Sequence, residues 1–543
     1  MTQTLILGNI ITMDDKRPFA KAALVKDGVF AYIGEAEEAK KLAGPDAKVL
    51  DYGEHYIYPG FIDGHAHGCF AGYRAVGQAD LTKAGMATDY PKYREIIKEF
   101  IEKNPEREIY LAAGWIQNEE KVTKTYLDEI CPDKPLIMNS ADAHSCLFNT
   151  KALEWAGVDK EFAKKYGPAL VHVDEDGEPD GFICEGPAFA IVHKVPVTVE
   201  DAKKYILAWQ DFAFSSGLTA TAFAGDDFRF PEAPAYYELE QEGKLKLRTY
   251  ANVIVPDNAV DPKAEIAHIA EERAKYCNEY YNIIGAKVLL DGVVEAHTGW
   301  LMDDYLDEPG YHGVERFNDH DKMVELIVAA DAEGLSVHAH SVGNGATHFM
   351  LDCIEDAEKI TGDMDQRNIL AHLQYITEED IRRMGETGSV AAVPPLWTAK
   401  APGVYDQEVA YAGKEWADKA YPIKSFFDAG ANVVFHSDYP VSPLIDVKLS
   451  IYMAEKRGYP ESLMGGDTRR NIGEAISREQ SLRAMTINVA RQFHQEHRLG
   501  SVEFGKIANM TVFDCDFLHD DIENVAKANL VATIVDGEVV YKA

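Results

Sequence analysis

Stretches in which apolar and polar residues alternate predict short β-strands at both ends of the chain. The predicted terminal strands are residues 4–13, 22–29, 47–52, 510–514, 530–535 and 538–541. Turn residues accompany them: Gly44-Pro45 precedes the third strand, and Asp536-Gly537 lies between the last two strands. Because the middle of the chain has a different pattern, the economical interpretation is one small β-sandwich that both ends build together, with a large domain inserted between them.

Between the two ends, apolar runs of strand length alternate with amphipathic helical segments such as 322–334 and 378–387. The candidate strands are 56–62, 135–140, 218–223, 247–255, 283–290, 335–340, 368–373, 389–393 and 432–436. Repeated strand–helix units are typical of an α/β protein with a parallel sheet or a barrel. Nine candidates exceed the eight strands of a barrel by one. The segment 135–140 is the expected outsider because a long irregular stretch surrounds it.

Histidines follow the first of these apolar runs. In a strand, residues i and i+2 point to the same face, so the imidazoles of His65 and His67 converge on one point, which suits a metal ion. Surface or core histidines are the alternative explanation for this pair taken alone. Later strands end in His340, His372 and Asp438, and TIM barrels build their active sites at such C-terminal strand ends. Together these placements predict one shared site.

Lys287 lies inside the apolar run 283–290, between the first and second histidine positions. A buried lysine is unfavourable unless it is paired or chemically altered. If it faces two metal ions, its amine could be carboxylated by CO2 and bridge them as an anion. Pairing of the amine with Asp291 or Glu295 is the alternative.

Charge and composition narrow the range of partners. The chain contains 54 Lys and Arg against 90 Asp and Glu, a formal charge of −36 at pH 7, which disfavours binding to nucleic acids and anionic membranes. No apolar run approaches the ~20 residues of a membrane span. The start has no basic region typical of a secretory signal, and the seven cysteines are scattered without CxxC spacing. We therefore expect a cytoplasmic protein with free thiols.

The order His-x-His, Lys, His, His, Asp resembles the metal site of binuclear members of the amidohydrolase superfamily. Further blocks resemble amidohydrolase family 3, the YtcJ-like branch that includes N-substituted formamide deformylases. These blocks are residues 142–153, 177–185, 287–292, 340–346, 437–441 and 500–506. The similarity extends from about residue 4 to residue 541, which is essentially the whole chain.

The resemblance implies a (β/α)8 TIM barrel that hydrolyses a carbon–nitrogen bond other than a peptide bond, in an amide, an N-formyl or N-acyl amine, or a cyclic amide. The implied metal ligands are His65, His67, Lys287, His340, His372 and Asp438. Lys287 would be carboxylated and would bridge two divalent cations, which we expect to be zinc, with iron or manganese as alternatives. Asp438 would also be the catalytic proton shuttle between the attacking water and the departing amine.

By the same resemblance, the segment of about 69–200 is an insertion after the first barrel strand. The chain would then divide into a barrel domain at 58–495 and a β-sandwich made of residues 1–57 and 496–543. For the quaternary structure we expect a homo-oligomer, namely a dimer.

Several residues are candidates for contact with a small-molecule substrate. They are His144, Glu185, Trp115, His297 and Trp397. The stretch 293–300 departs from the family pattern, so it bears on substrate identity. We assign His340 rather than His338 as a metal ligand because Gly343 follows His340 at the spacing found in the family. The roles of His338 and His436, like that of His297, stay open.

Two alternative functions fit the same scaffold less well. A mononuclear deaminase lacks the bridging lysine and carries a Glu three residues after a ligand His. This chain has Lys287, and neither His340 nor His372 is followed by such a Glu. A non-catalytic binding protein would not need all six expected ligands, which are present here.

Overall fold

The computed structural model of the chain describes residues 3–85, 88–116, 122–141, 145–225, 230–257, 259–362 and 365–543. Within them, the strands form sheets of seven, six and eight strands. The strands are β1 (Gln3–Ile11), β2 (Phe19–Lys26), β3 (Val29–Gly34), β4 (Lys48–Pro59), β5 (Phe61–Ala66), β6 (Ala79–Asp80), β7 (Tyr110–Trp115), β8 (Leu136–Ser140), β9 (Ser145–Phe148), β10 (Val171–Val173), β11 (Pro179–Cys184), β12 (Leu218–Phe223), β13 (Arg248–Ile254), β14 (Tyr281–Leu289), β15 (Ser336–Ser341), β16 (Ile369–His372), β17 (Val390–Val393), β18 (Asn432–Phe435), β19 (Met510–Phe513), β20 (Leu530–Val535) and β21 (Glu538–Lys542).

The α-helices lie between the strands, with one or more helices separating most consecutive strands after β11. They are α1 (Ala36–Leu42), α2 (Gly68–Gly72), α3 (Tyr90–Lys103), α4 (Lys124–Asp128), α5 (Thr150–Ala156), α6 (Lys160–Tyr166), α7 (Glu185–Val192), α8 (Val199–Ser215), α9 (Glu232–Gln241), α10 (Pro262–Tyr276), α11 (His320–Ala332), α12 (Asn344–Thr361), α13 (Glu378–Glu386), α14 (Val404–Tyr411), α15 (Lys414–Lys419), α16 (Ile423–Asp428), α17 (Val447–Lys456), α18 (Arg478–Ala484), α19 (Ile487–Gln492) and α20 (Ile522–Val525).

The chain forms two compact units. The first contains Met1–Gly68, Gln210–Asp227 and Tyr236–Ala543, and the second contains Cys69–Trp209 and Phe228–Ala235. The second unit therefore begins where the sequence predicts an insertion. The boundaries of the three predicted domain segments stay a prediction.

Eight parallel strands of the first unit, β5 and β12 to β18, follow one another around a single sheet in sequence order. Past the ends of β5 and β18, the backbone N–H of Asp438 donates to the carbonyl of His65 at 3.0 Å, and that of His67 donates to Tyr439 at 2.9 Å. These bonds bring the first and last strands together, so the sheet is a nearly closed barrel. The predicted TIM-barrel fold is confirmed.

A buried carboxylate joins the same two strands. Asp63 on β5 accepts hydrogen bonds from the backbone N–H and the hydroxyl of Ser437, which follows β18, and from the backbone N–H of His65. Burial raises the pKa of Asp63 to about 6, although these hydrogen bonds lower it in part. Asp63 therefore fixes the position of the chain where His65 leaves β5 relative to the end of β18.

The predicted strand 56–62 is wrong in its boundaries, whereas the last seven candidates match β12 to β18 within two residues at each end. The apolar run is interrupted at Gly60, where a Cβ would lie 2.1 Å from the hydroxyl of Thr219, and the N–H of Gly60 donates to Asn509. The chain thus passes from the terminal sheet into the barrel at this residue. The expected outsider, 135–140, is β8 in the second unit.

Strands from both chain ends form one seven-stranded sheet in the order β21-β20-β19-β4-β1-β2-β3. β4 lies at its centre, parallel to β1 and antiparallel to β19, so it joins the two ends. One face buries apolar side chains such as Ile6, Ile57 and Met510, and the other packs Leu5 and Leu24 with α1. The presence of strands from both chain ends in one sheet agrees with the sequence analysis. The strand β3 was not predicted. A two-layered sandwich stays a prediction, because all seven strands belong to one sheet.

The second unit is built on a mixed six-stranded sheet in the order β10-β11-β9-β8-β7-β6. β6, β7 and β8 are parallel to one another, and the remaining pairs are antiparallel. Its core packs α3 and α4 on the sheet through Tyr93, Ile97, Leu127 and Leu136. A helix such as α3 buries a stripe of residues spaced by three or four, which accounts for Tyr93 and Ile97.

Two predictions from composition concern features of the whole chain. Among the described residues, every helix is too short or too polar to cross a bilayer. All seven cysteines carry free thiols, five of them buried. The expected cytoplasmic location and the absence of nucleic-acid and membrane partners stay predictions.

Tyr58 on β4 connects the terminal sheet to the segment that follows β19. Its hydroxyl donates to the carbonyl of Cys515 at 2.9 Å and accepts the N–H of Phe517 at 2.7 Å, and its ring stacks on Phe517 at 4.6 Å between centroids. The side chain is fully buried. Removal of this hydroxyl would leave a buried donor and a buried acceptor without their partner.

We therefore expect Tyr58→Phe to lower the free energy of unfolding by about 1–3 kcal/mol. The measurement is chemical denaturation followed by circular dichroism. Tyr541→Phe, at a partly exposed position on β21 of the same sheet, is the matched control and should change stability by less than about 0.5 kcal/mol. Equal effects of the two substitutions would contradict the assignment of Tyr58 as the link between the chain ends.

Candidate metal centre

Eight polar side chains meet inside the barrel at or near the C-terminal ends of its strands, where TIM barrels carry their sites. They are His65, His67, Lys287, His338, His340, His372, His436 and Asp438. All six predicted metal ligands are in this group, together with two histidines to which the sequence analysis assigned no role. The parallel strands explain the convergence, because their carboxyl ends share one rim of the barrel.

His65, His67 and Asp438 surround one point. The Nε2 atoms of His65 and His67 lie 3.2 and 3.3 Å from the same carboxylate oxygen, Oδ1 of Asp438, and the three ligand atoms all lie within 4.8 Å of one another. The Nδ1 atom of His67 lies 3.2 Å from the carbonyl oxygen of Gly225. A proton on Nδ1 satisfies this carbonyl and leaves the Nε2 lone pair directed at the common point.

His340 and His372 form a second pair, with ring centroids 4.6 Å apart. His340 Nδ1 lies 2.9 Å from Oδ1 of Asp291, so this nitrogen donates to the carboxylate and Nε2 remains to bind a cation. His372 is buried, and its Nδ1 has no hydrogen-bond partner among the described residues. It adopts a φ of +84°, and Asp438 a φ of +56°, in the left-handed region that residues other than glycine adopt uncommonly.

Lys287 is buried, and its amine has no hydrogen-bond partner within the described part of the chain. Pairing with Asp291 is not observed, because the carboxylate of Asp291 accepts N–H groups from His340 and from the backbone of Trp300, Val342 and Gly343. Burial lowers the pKa of Lys287 to about 7, although the charges of Asp438 and Asp291 raise it in part. The uncharged amine is the form that reacts with CO2, and near pH 7 it is well populated.

Charge in the centre is concentrated on one residue. Burial holds the pKa values of His65, His338 and His372 well below 6.5, so the rings are neutral. Burial also acts to raise the pKa of Asp438, but the nearby His372 and His67 outweigh it and hold this pKa below its usual range. Neutral imidazoles with free lone pairs, an ionised carboxylate and an unpaired amine are the donors that divalent transition metals prefer, so these residues fit a metal site.

Of the predicted substrate-binding residues, Trp397 lies beside the centre. Its ring is parallel to that of His372 with centroids 5.5 Å apart, and its Nε1–H donates to the hydroxyl of Ser442 at 2.8 Å. His297, in the loop after β14, packs against Tyr305 and Tyr411.

Two of the other candidates belong to the second unit. Trp115 is buried in the core of the second unit, and Glu185 begins α7 of that unit with a φ of +55°. His144 lies outside the described residues. The substrate-binding roles of all five residues stay predictions.

Three contributors to the centre were missed or misassigned from the sequence. His338 lies two residues before His340 on β15, and the rule that aligned His65 with His67 would have placed it on the same face. His436 follows β18 directly, is buried, and has no hydrogen-bond partner at either ring nitrogen among the described residues. Asp291 was considered only as a partner of the lysine, although it orients His340.

Comparison with known proteins shows the family to which the chain is related. The model of the amidohydrolase family matches residues 48–541. The chain is 26% identical over 547 residues to the putative amidohydrolase YtcJ of Bacillus subtilis, with 98% of each chain covered. It is 25% identical over 563 residues to N-substituted formamide deformylase of Arthrobacter pascens, with 99% of this chain and 98% of that protein covered. The crystal structure of a metal-dependent hydrolase from Pyrococcus furiosus superposes with a TM-score of 0.77 at 24% identity, covering 95% of this chain and 100% of the other.

Proposed function

The chain belongs to the amidohydrolase family, and we propose that it uses divalent metal ions to hydrolyse a carbon–nitrogen bond other than a peptide bond in a small molecule. The substrate class is an amide, an N-formyl or N-acyl amine, or a cyclic amide. The family supports a hydrolytic enzyme that depends on a metal, and the relative named N-substituted formamide deformylase supports the choice of bond. The YtcJ-like resemblance found in the sequence agrees with both.

The observation that supports the proposal most strongly is the convergence of His65, His67 and Asp438. Two imidazole nitrogens lie 3.2 and 3.3 Å from one carboxylate oxygen, an arrangement that would offer three ligands to a cation. His340 and His372 lie beside this trio and supply two more nitrogens. A purely structural cluster would have its buried polar atoms hydrogen-bonded, whereas Nδ1 of His372 and the amine of Lys287 have no hydrogen-bond partner among the described residues.

We assign the ligands as the sequence analysis implied. His65 and His67 would hold the more buried cation, His340 and His372 the second, and Asp438 would contribute its carboxylate to the site. Two zinc ions are our first choice, with iron or manganese as alternatives, because imidazole and carboxylate ligands suit all three. When bound, such cations lower the pKa of water toward neutrality and polarise the carbonyl group of a substrate.

Lys287 would supply the anion between the two cations. Its uncharged amine attacks CO2, a C–N bond forms, and the nitrogen releases one proton to solvent, which leaves a carbamate with one negative charge. Burial favours this reaction because it lowers the pKa of the amine to about 7. An unmodified ammonium group at the same place would repel cations.

Asp438 would move the proton of the reaction. Its carboxylate is ionised and lies beside His65 and His67, so it can accept the proton of the attacking water. The amine leaves poorly as an anion, and the same carboxyl group can return the proton to it. Trp397, which lies over His372, would form part of the wall against which the small substrate packs.

The proposed function predicts that hydrolysis depends on metal. Protein stripped by chelation should lose turnover of at least one member of a panel of N-formyl amines, N-acyl amines and cyclic amides, and zinc should restore it. Release of carboxylate and amine is measured by chromatography. Equal turnover before and after chelation would contradict the proposal, and release of ammonia from a deaminase substrate, with every amide intact, would favour deamination instead.

Carboxylation of the lysine predicts a specific rescue. Lys287→Ala should bind less metal and lose turnover, and short carboxylic acids such as acetate should partly restore both, because they place a carboxylate in the space left by the side chain. Lys287→Met is the matched control, since its side chain fills that space and should block the rescue. Metal content is measured by elemental analysis. Full metal content in Lys287→Ala would contradict the bridging role.

The proton-shuttle role predicts that Asp438→Asn lowers turnover by about 10²–10⁴-fold, because the amide fills the same space but cannot carry a proton. Steady-state turnover on an accepted substrate is measured with metal-replete protein. Zinc content of the same preparation is the control that separates loss of the shuttle from loss of a ligand. Turnover within about tenfold of the parent would rule out the shuttle, because its loss should cost more than that.

A further inference from the structure

Among the described residues of the centre, a direct contact between two ring nitrogens is made by His338. It lies fully buried on β15, opposite Lys287 of β14 in the register of the two strands. Its Nε2 atom lies 2.8 Å from Nδ1 of His65, on the far side of the imidazole ring from Asp438. The contact crosses the barrel, because β15 and β5 are not neighbours in the sheet.

The short distance identifies this contact as a hydrogen bond. Two nitrogens that bind one zinc ion at about 2.0–2.1 Å each lie more than 3 Å apart in a tetrahedral site. A separation of 2.8 Å is instead within the ordinary range for a hydrogen bond. Nε2 of His338 and Nδ1 of His65 therefore do not bind a shared cation. One of the two rings donates an N–H hydrogen bond to the other.

The direction of this hydrogen bond follows from the ligand role of His65. A neutral imidazole carries one N–H, and its other nitrogen offers a lone pair. Nε2 of His65 points at Asp438 and is the atom that would bind the cation, so the proton of His65 must be on Nδ1. Nδ1–H then donates to Nε2 of His338, and the proton of His338 is on Nδ1, a buried atom with no hydrogen-bond partner among the described residues.

We propose that His338 is a positioning residue that holds the ring of His65 in the tautomer and orientation in which Nε2 binds the cation. This inference rests on the proposed metal-dependent function. His67 and His340 have comparable partners, since Nδ1 of His67 contacts the carbonyl of Gly225 and Nδ1 of His340 contacts Asp291. His338 thus supplies for His65 what a carbonyl and a carboxylate supply for the other two rings.

The residue that accepts the Nδ1–H of a ligand histidine affects how strongly that histidine binds a metal ion. A carboxylate such as Asp291 draws the proton of its histidine toward itself and makes that ring a better electron donor. His338 is an imidazole rather than a carboxylate, so it orients His65 without adding a second negative charge to the buried centre. Orientation is therefore what should be lost when His338 is replaced.

Two substitutions separate the hydrogen bond from simple packing. The amide oxygen of His338→Gln reaches about as far along the side chain as Nε2 and can accept the N–H of His65. His338→Leu fills a similar volume but accepts no hydrogen bond. Zinc affinity is measured in apo-protein reloaded with zinc, by competition with a chromogenic chelator, and thermal unfolding of each apo-protein shows that it is folded.

His338→Leu should weaken zinc binding by about 10–100-fold with the stoichiometry unchanged at saturating zinc, and His338→Gln should stay close to the parent. Equal affinities of the Leu variant and the parent would overturn the proposal, as would equal weakening by Leu and Gln. Loss of one equivalent of zinc at saturation would overturn it too, because His338 would then be a ligand. A parent protein that takes up no zinc would instead overturn the proposed function on which this inference rests.

Discussion

The hydrogen bonds that join the first and last barrel strands are the constraint on which the rest of the centre depends. Asp63 accepts N–H groups from His65 and Ser437, and Asp438 donates its own N–H to the carbonyl of His65. These bonds fix β5 against β18, and they bring the carboxylate of Asp438 to within 3.3 Å of the Nε2 atoms of His65 and His67, which are far from it in sequence. A shift of one residue in this pairing would turn the same side chains away from each other.

The barrel could be predicted because its strands are buried on both faces and appear as continuous apolar runs. The interruption between β4 and β5 at Gly60 could not be predicted, because the run from Tyr56 to Ile62 contains no polar residue that would mark it. What requires a residue without a side chain at this position is the close approach of Thr219. Likewise, the i and i+2 rule found His65 and His67, but the contact between His65 and His338 depends on how the barrel closes. Hydrogen bonds across a barrel are set by three-dimensional closure, which no local pattern encodes.

Polar side chains line the mouth of the barrel, whereas the core clusters elsewhere in the chain consist of apolar side chains. Neutral histidines, an amine and a carboxylate lie at the mouth, whereas the interior layers of such barrels pack branched apolar side chains, and several of these polar nitrogens lack a protein partner among the described residues. Each unpaired buried polar group costs about 1–3 kcal/mol of stability. Such local violations are typical of functional sites, where stability is given up so that donor atoms stay free for a ligand.

The position of β4 at the centre of the terminal sheet has a consequence for the order of folding. Tyr58 meets Cys515 across 457 residues of sequence, so during synthesis β4 leaves the ribosome long before β19 exists to pair with it. One edge of β4 is therefore exposed while the whole barrel is being made, and contacts of such long sequence separation form slowly. Completion of this sheet can occur only after β19 emerges, and until then the open edge of β4 offers unpaired backbone groups to other chains.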